Sequence, residues 1–422
     1  MKISAVIIGA IGLAAGLSVG LSLGFSYAGT DAGGPAISFE QPAGSMVPSG
    51  TVNIGLVVPL TGEISTIGND NEMAARLAVE DFNLYLDKIG AGWEFNLVVE
   101  DSQADPIVAL EKVQSLNSKG IQLVLGPDSS TELRNVKSYT GSNGMLLISS
   151  TSTTPTLSID DNIFRLVPDD TQQGRAIATL AESRGITTLI PVHRGDVWGD
   201  GLYESTKTWF EARGGTFDEG IRYSPENSVF SIEAYLLSER LAGYLQERPA
   251  SEVAIVMMTF EEGVHIFQSA SSYDELRSVL WIGTDTLSNN GLLVEDSITA
   301  GFLSDVDFVS GQFAVSENDH YNRVKGILTD RMGSSPANYA YPTYDSVWLI
   351  GLGILQLQTT DSELLIEALP MVASHYSGAL GAVILNDAGD LAISDYGLFA
   401  VRDGKWVDYG LYDARTDTVI VR

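Results

Sequence analysis

No cysteine occurs in the 422 residues, which removes disulfides, thiolate metal sites, cysteine nucleophiles and a lipidated N-terminal cysteine together. Histidine is nearly as scarce: His193, His265, His320 and His375 are scattered without ligand-like spacing, so no histidine-built metal site is expected. Basic residues number 24 against 54 acidic ones, a formal net charge of −30. A phosphate backbone needs a positive footprint, and no Lys/Arg stripe with interleaved aromatics supplies one, so nucleic acid is excluded as a partner. Also missing are a Gly-x-Gly-x-x-Gly turn after a strand, a phosphate loop ending in Gly-Lys-Ser/Thr, a Gly-x-Ser-x-Gly elbow and a His-Glu-x-x-His pair. Asn386 to Asp390 opens like a calcium loop but lacks the closing Glu and reads as a hairpin turn. The adjacent acids Asp160-Asp161 and Asp169-Asp170 read as helix caps and solvated turns. Neither an enzyme nor a cofactor is expected.

What is present is enough apolar sequence, 44% of the chain, to bury sizeable cores, at a length that exceeds what one core serves. Two domains follow. Lys2 precedes an uncharged stretch, Ile3 to Ala28, rich in Ile, Leu, Val, Ala, Gly and Ser. At about 1.5 Å per helical residue it exceeds a hydrocarbon core of roughly 30 Å, which favours an uncleaved anchor. A signal cleaved after Ser26-Tyr27-Ala28 is the alternative; either way the rest of the chain is exported. Gly29 to Gly50, with Gly33-Gly34-Pro35, Pro42 and Pro48, reads as a flexible tether.

From Thr51 the sequence alternates short β-branched runs with segments of helical period, the pattern of βα units around parallel sheets. Strands are expected at Val52–Val58, Phe95–Val99 and Ile121–Leu125, and helices at Asn69–Lys88 and from Pro106, behind an Asp105 cap, to Asn117. A second series follows: helix Gln172–Arg184, strand Thr188–Val192, helix Asp200–Arg213, strand Gly215–Tyr223, helix Ile232–Gln246 and strand Glu252–Met258. Small hydroxyl residues gather at the carboxyl ends of strands, where open α/β sheets bind ligands. One such loop is Gly126-Pro127-Asp128-Ser129-Ser130-Thr131, with a helix starting inside it, so that hydroxyls and free helix N–H groups make an anion site. The next is Ser149 to Pro155, dense in donors and acceptors. Asp285, at the end of the run Trp281-Ile282-Gly283-Thr284, is placed to receive a ligand ammonium.

These stretches, in order and spacing, resemble the type I periplasmic binding proteins of the leucine/isoleucine/valine-binding family of ABC importers. The matching segments are Ile54 to Gly62, Gly126-Pro127 with Ser129-Ser130, Leu147-Ile148-Ser149 through Thr153 to Pro155, and Phe164-Arg165. Trp198 to Gly201, Tyr344 to Val347, Gly381-Ala382 and Asn386 to Asp390 complete the set. The resemblance implies an α/β fold: two doubly wound lobes with parallel-dominated sheets, joined by crossovers near Val167, Gly301 and Gly381. Residues 1–28 would be the membrane segment and 29–50 the tether; 51–168 with 302–380 would form one lobe, and 169–301 with 381–422 the other. It implies further that Ser130 and Thr151 meet an amino-acid carboxylate, that Thr153 and Asp285 hold its ammonium, and that Trp198, in a loop of the second lobe, closes over it. Phe260 or Glu261 falls where another contact is expected, the roles of Glu261 and Glu262 staying open, and Ile67 stands where the family often has an aromatic. The implied function is capture of a small polar ligand, a branched-chain-type amino acid, for delivery to an ABC permease in the membrane. A sensory ectodomain, or a binding protein for short amides or urea, is the alternative on the same fold.

Overall fold

The computed structural model describes residues 48–422. The expected anchor and most of the tether lie outside these residues. Among the described residues no helix is long and apolar enough to cross a membrane.

The first series of βα units runs β1 (Gly50–Val58), α1 (Ser65–Ile89), β2 (Trp93–Asp101), α2 (Pro106–Ser118), β3 (Leu123–Leu125), α3 (Ser130–Ser142), β4 (Leu146–Ser149) and β5 (Ile163–Arg165). Its strands make one sheet in the order β2-β1-β3-β4-β5, every neighbouring pair parallel. Capping fixes the helix starts. The Asp105 carboxylate accepts from the amides of Ile107 at 2.7 Å and Val108 at 3.0 Å, with Pro106 as the first helical residue. Apolar residues on one face of α1 bury Leu77, Phe82 and Leu86 against the sheet. Phe82 packs on Phe95 and Trp348 with ring centroids 5.3 and 5.1 Å away; burial of a side chain of this size contributes about 1.5–3 kcal/mol.

The second series runs α4 (Asp170–Ser183), β6 (Thr188–Arg194), α5 (Val197–Ala212), β7 (Thr216–Phe217), β8 (Ile221–Tyr223), α6 (Ser231–Leu245), β9 (Val253–Met258), α7 (Gly263–Ala270), β10 (Leu280–Gly283), α8 (Leu292–Glu295), α9 (Ser297–Asp305) and β11 (Val309–Phe313). The chain then returns to the first sheet with α10 (Asp319–Met332), α11 (Ala340–Leu357) and α12 (Ser362–Ser374), whose apolar faces join the core around Phe82. A two-residue ladder, β12 (Ser377–Gly378) with β13 (Gly381–Ala382), precedes β14 (Tyr396–Arg402), β15 (Lys405–Asp413) and β16 (Thr418–Val421). The last three complete a nine-stranded sheet, β16-β15-β14-β11-β10-β9-β6-β7 with β8 beside β6. It is parallel from β11 through β6 to β7 and β8, and antiparallel from β11 to β16.

Three of the sequence expectations change. Gly301 is not at a crossover: it lies inside α9, and β11 after it still pairs with β10 and β14, so the chain leaves the second sheet only beyond Phe313. Trp198 is not in a loop. The Asp196 carboxylate accepts from the Gly199 amide at 2.9 Å and starts α5 at Val197, so the glycine continues the helix instead of breaking it. A Cβ on Gly199 would sit 2.0 Å from the Arg194 carbonyl oxygen, which is why a glycine stands there. The expected strand Gly215–Tyr223 is two short strands, with Gly220 at a φ of 66° between them. The turn at Asn386–Asp390 is as expected, with the Asn386 side chain accepting from the amides of Ala388 and Asp390 at 2.9 and 3.0 Å.

Candidate functional site

The carboxyl ends of β3 and β4 in the first lobe face those of β6, β9 and β10 in the second. Ile64, Ile67, Asp128, Ser129, Ser130, Thr151, Thr153 and Tyr339 line one side of the cavity between them, and Trp198, Phe260 and Thr286 the other. Five of the six residues expected from sequence thus meet on one cavity. The sixth, Asp285, is buried behind it: its carboxylate accepts from the Tyr339 hydroxyl and, at 2.9 Å, from the Thr286 amide. The cavity is about 20 Å3, the order of one water, so the lobes are shut and an amino acid enters only when they part.

Each wall has a local cause. Gly126 follows β3 with a φ of 86°, and a Cβ there would fall 2.0 Å from the Val57 carbonyl oxygen, so only glycine brings Asp128 to the strand end. Ser129 caps α3 through the Glu132 amide at 3.2 Å, and the Glu132 side chain accepts from the Ser129 amide at 3.0 Å, a complete capping box. Of the amides at the start of α3 the cap takes that of Glu132, and it sets an acid, Glu132, beside the anion site expected there. Asp128 accepts from Asn71 Nδ2 at 2.9 Å and from Thr151 Oγ1 at 3.1 Å. Burial pushes its carboxyl up to about 7, with the Asn71 bond opposing and the Glu132 charge adding to the rise.

The hydroxyls expected to contact ligand are also engaged. Ser130 Oγ lies 2.9 Å from Ser152 Oγ and accepts from the Thr154 amide at 3.3 Å. Thr153 Oγ1 donates to Asp170 at 2.8 Å. Asp170 accepts from Gln173 Nε2 at 2.8 Å, and Gln173 Oε1 accepts from the Asp285 amide at 2.9 Å. Burial raises the carboxyls of Asp170 and Asp285 above the ordinary range, and the charge of Asp285 raises Asp170 further.

The second lobe supplies a lid. Trp198 and Phe260 stack with centroids 4.7 Å apart at 32°, and the Arg194 guanidinium lies 4.5 Å over the outer face of Phe260. Trp198 belongs to the apolar core of the second lobe as well as to the cavity wall. Arg194 is ion-paired to Asp196, Glu262 and, from the opposite lobe, Glu63. Glu262 therefore orients Arg194, and Tyr223 donates to it at 2.5 Å, while Glu261 accepts from Thr66 across the cleft. Sequence reasoning missed Asn71 and Tyr339, and read Asp128 only as part of a hydroxyl run. The sign of its charge was the available signal. Among the described residues no cluster of metal-ligating side chains occurs.

Residues 70–404 match the family described as receptor family ligand binding region. The chain is 29% identical over 387 residues to an uncharacterised protein of Methanocaldococcus jannaschii, covering 87% of this chain and 91% of that one. It is 23% identical over 362 residues to Leu/Ile/Val-binding protein homolog 3 of Brucella melitensis, covering 84% and 93%. Among solved structures, the leucine-binding protein of Thermotoga maritima superposes with a TM-score of 0.72 at 18% identity, over 85% of this chain and 98% of that one.

Proposed function

The chain belongs to the receptor family ligand binding region family, with the type I periplasmic binding protein fold, and from that premise we propose that it is the solute-binding component of an ABC importer. It captures a small polar ligand of amino-acid type between its lobes and presents the closed form to a membrane permease. Residues 1–28 hold it at the outer face of the membrane, or direct its export where they are removed. The observation that carries this reading is the convergence of Ser130, Thr151 and Thr153 from the first lobe with Trp198 and Phe260 from the second on one interlobe cavity. A site split between two lobes couples occupancy to closure, because ligand contacts on both sides are made only when the lobes meet. Asp285 fits the ammonium end. It is a buried carboxylate held by neutral donors alone, and a buried charge of that kind gains most from a cationic partner. The lobe composition this implies is residues 48–168 with about 318–382, and 169–313 with 396–422.

The test is thermal unfolding of the full chain against amino acids, short amides, urea and control sugars. A ligand bound only by the native state stabilises it by about 2.7 kcal/mol at a hundredfold excess over Kd. A saturable shift with the amino-acid or amide members alone supports the reading, and a shift with sugars alone sinks it.

A further inference from the structure

The two polar ends of the cavity differ from what a zwitterion needs. At the Asp285 end a carboxylate is expected for an ammonium. At the other end, where the ligand carboxylate would meet Ser130 and Thr151, the lining again includes an acid, Asp128. Thr151 donates its hydroxyl hydrogen to Asp128, and Ser130 is bonded to Ser152 and the Thr154 amide. At the start of α3 the Ser129 hydroxyl takes the Glu132 amide, and the Glu132 carboxylate, which takes the Ser129 amide, adds a second acid. Independently, Oδ1 of the fully buried Asn71, whose Nδ2 bonds both Asp128 and Thr151, has no hydrogen-bond partner. An unpaired buried acceptor beside a buried carboxylate calls for a donor. Neither Lys nor Arg lines the cavity, and the nearby Arg194 is committed to three acids.

We propose that the Asp128 end of the cleft is built for a hydrogen-bond-donating group, so that the ligand is the carboxamide counterpart of an amino acid, a donor at both ends. This rests on the reading of the cleft as a solute site and names its chemistry. A carboxamide gives its N–H groups to Asp128 and Asn71, and its amine meets Asp285. A free carboxylate would be set against Asp128 in a closed cavity, where like charges repel strongly. It enters only as Asp128 takes up a proton. The charged group that bears on Asp128 is Glu132 on α3, and it adds to that repulsion.

The experiment is calorimetric titration of the full chain with leucine and with leucinamide at pH 7.5, for the wild type and Asp128→Asn. The expected result is binding of leucinamide at least about tenfold tighter than leucine by the wild type, a factor that one misplaced charge readily supplies. Asp128→Asn should narrow or reverse that preference by a further factor of about ten. A wild type that prefers leucine, or a preference unmoved by the substitution, overturns the proposal and leaves the importer reading standing. Binding of neither probe by folded protein overturns the proposal, while the importer reading is decided by the panel of amino acids, amides, urea and sugars. Should Asp128→Asn fail to fold, the wild type alone decides. Its leucine affinity should rise between pH 8.5 and 6 by up to about tenfold per unit while Asp128 is still ionised, and a flat profile overturns the proposal.

Discussion

Tyr339, at the entry to α11 in the first lobe, donates its hydroxyl hydrogen to Asp285, at the end of β10 in the second. Both side chains are buried, and the bond joins the lobes together with Thr153 to Asp170 and Thr154 to the Val197 carbonyl. A hydrogen bond to a buried charged group stabilises by about 1.5–3 kcal/mol, and this one ties the first lobe to the second. Tyr339→Phe should therefore fold normally and favour the open form by about tenfold or more. Small-angle scattering of the ligand-free protein reads the change as a larger radius of gyration. A radius equal to that of the wild type would show that Tyr339 does not hold the lobes together.

Arg165 and Asp390 form a bidentate pair, Nε to Oδ1 at 2.6 Å and Nη2 to Oδ2 at 2.5 Å, each 1% exposed. The remaining Arg165 nitrogen donates to the carbonyls of Thr154 at 2.7 Å and Ser152 at 3.3 Å, so the pair pins the site loop after β4 to the turn between α12 and β14. Breaking a buried pair leaves an uncompensated charge. Asp390→Ala should cost about 3–5 kcal/mol, and Arg165→Met with Asp390→Leu should cost less than Asp390→Ala alone. Urea unfolding of the three proteins decides it; a double variant weaker than the single one would mean that the pair's net contribution exceeds its desolvation cost.

The same pair marks where the sequence stops being legible. Phe164-Arg165 and Gly389-Asp390 stand out as separate segments, and so does Tyr344-Asp345. Their partners are 225 residues apart in the first case, and in the second Asp345 holds the amides of Ala379 and Leu380, 34 and 35 residues on. Periodicity and capping report on neighbours within a few turns, so α1, α2, α4 and α6 could be placed within a few residues while these ties could not. Trp198 was misplaced because Gly199 reads as a breaker, whereas the Asp196 cap and close packing on Arg194 make it a helical residue. Tyr339 carried no local signal. It reaches Asp285 only because α11 returns to the first sheet after β11 has completed its place in the second.

Glu63 and Arg194 form the charged part of a latch across the cleft mouth, with Thr66 and Glu261 beside them. Burial raises the Glu63 carboxyl above its ordinary range although Arg194 opposes the rise. Its side chain is 40% exposed, so screening limits the bond. Glu63→Gln should leave the thermal midpoint nearly unchanged and speed ligand release about two- to fivefold, with less effect at high salt. Stopped-flow tryptophan fluorescence follows the release. An unchanged rate at low salt would rule the latch out.

His193 is the group whose titration the second lobe resists. Its ring is buried beside Tyr203 with centroids 4.5 Å apart, and burial pushes its pKa down to about 4, against the opposing pull of Asp200. In the unfolded chain the ring takes a proton near pH 6.5, while the folded protein refuses it until about 4. Stability from this residue is therefore complete above pH 6.5 and is lost as pH falls towards 4, about 3 kcal/mol at the limit. Asp70 and Asp345, whose carboxyls burial raises to about 6, act with the opposite sign, because acid restores the proton that the fold prefers them to keep. The whole-protein profile mixes the two effects, and a difference separates them. Comparing urea unfolding at pH 7 and 4.5, His193→Gln should lose about 2 kcal/mol less than the wild type over that interval. Equal losses would mean that the ring is protonated within the fold, paired with Asp200 across 3.5 Å.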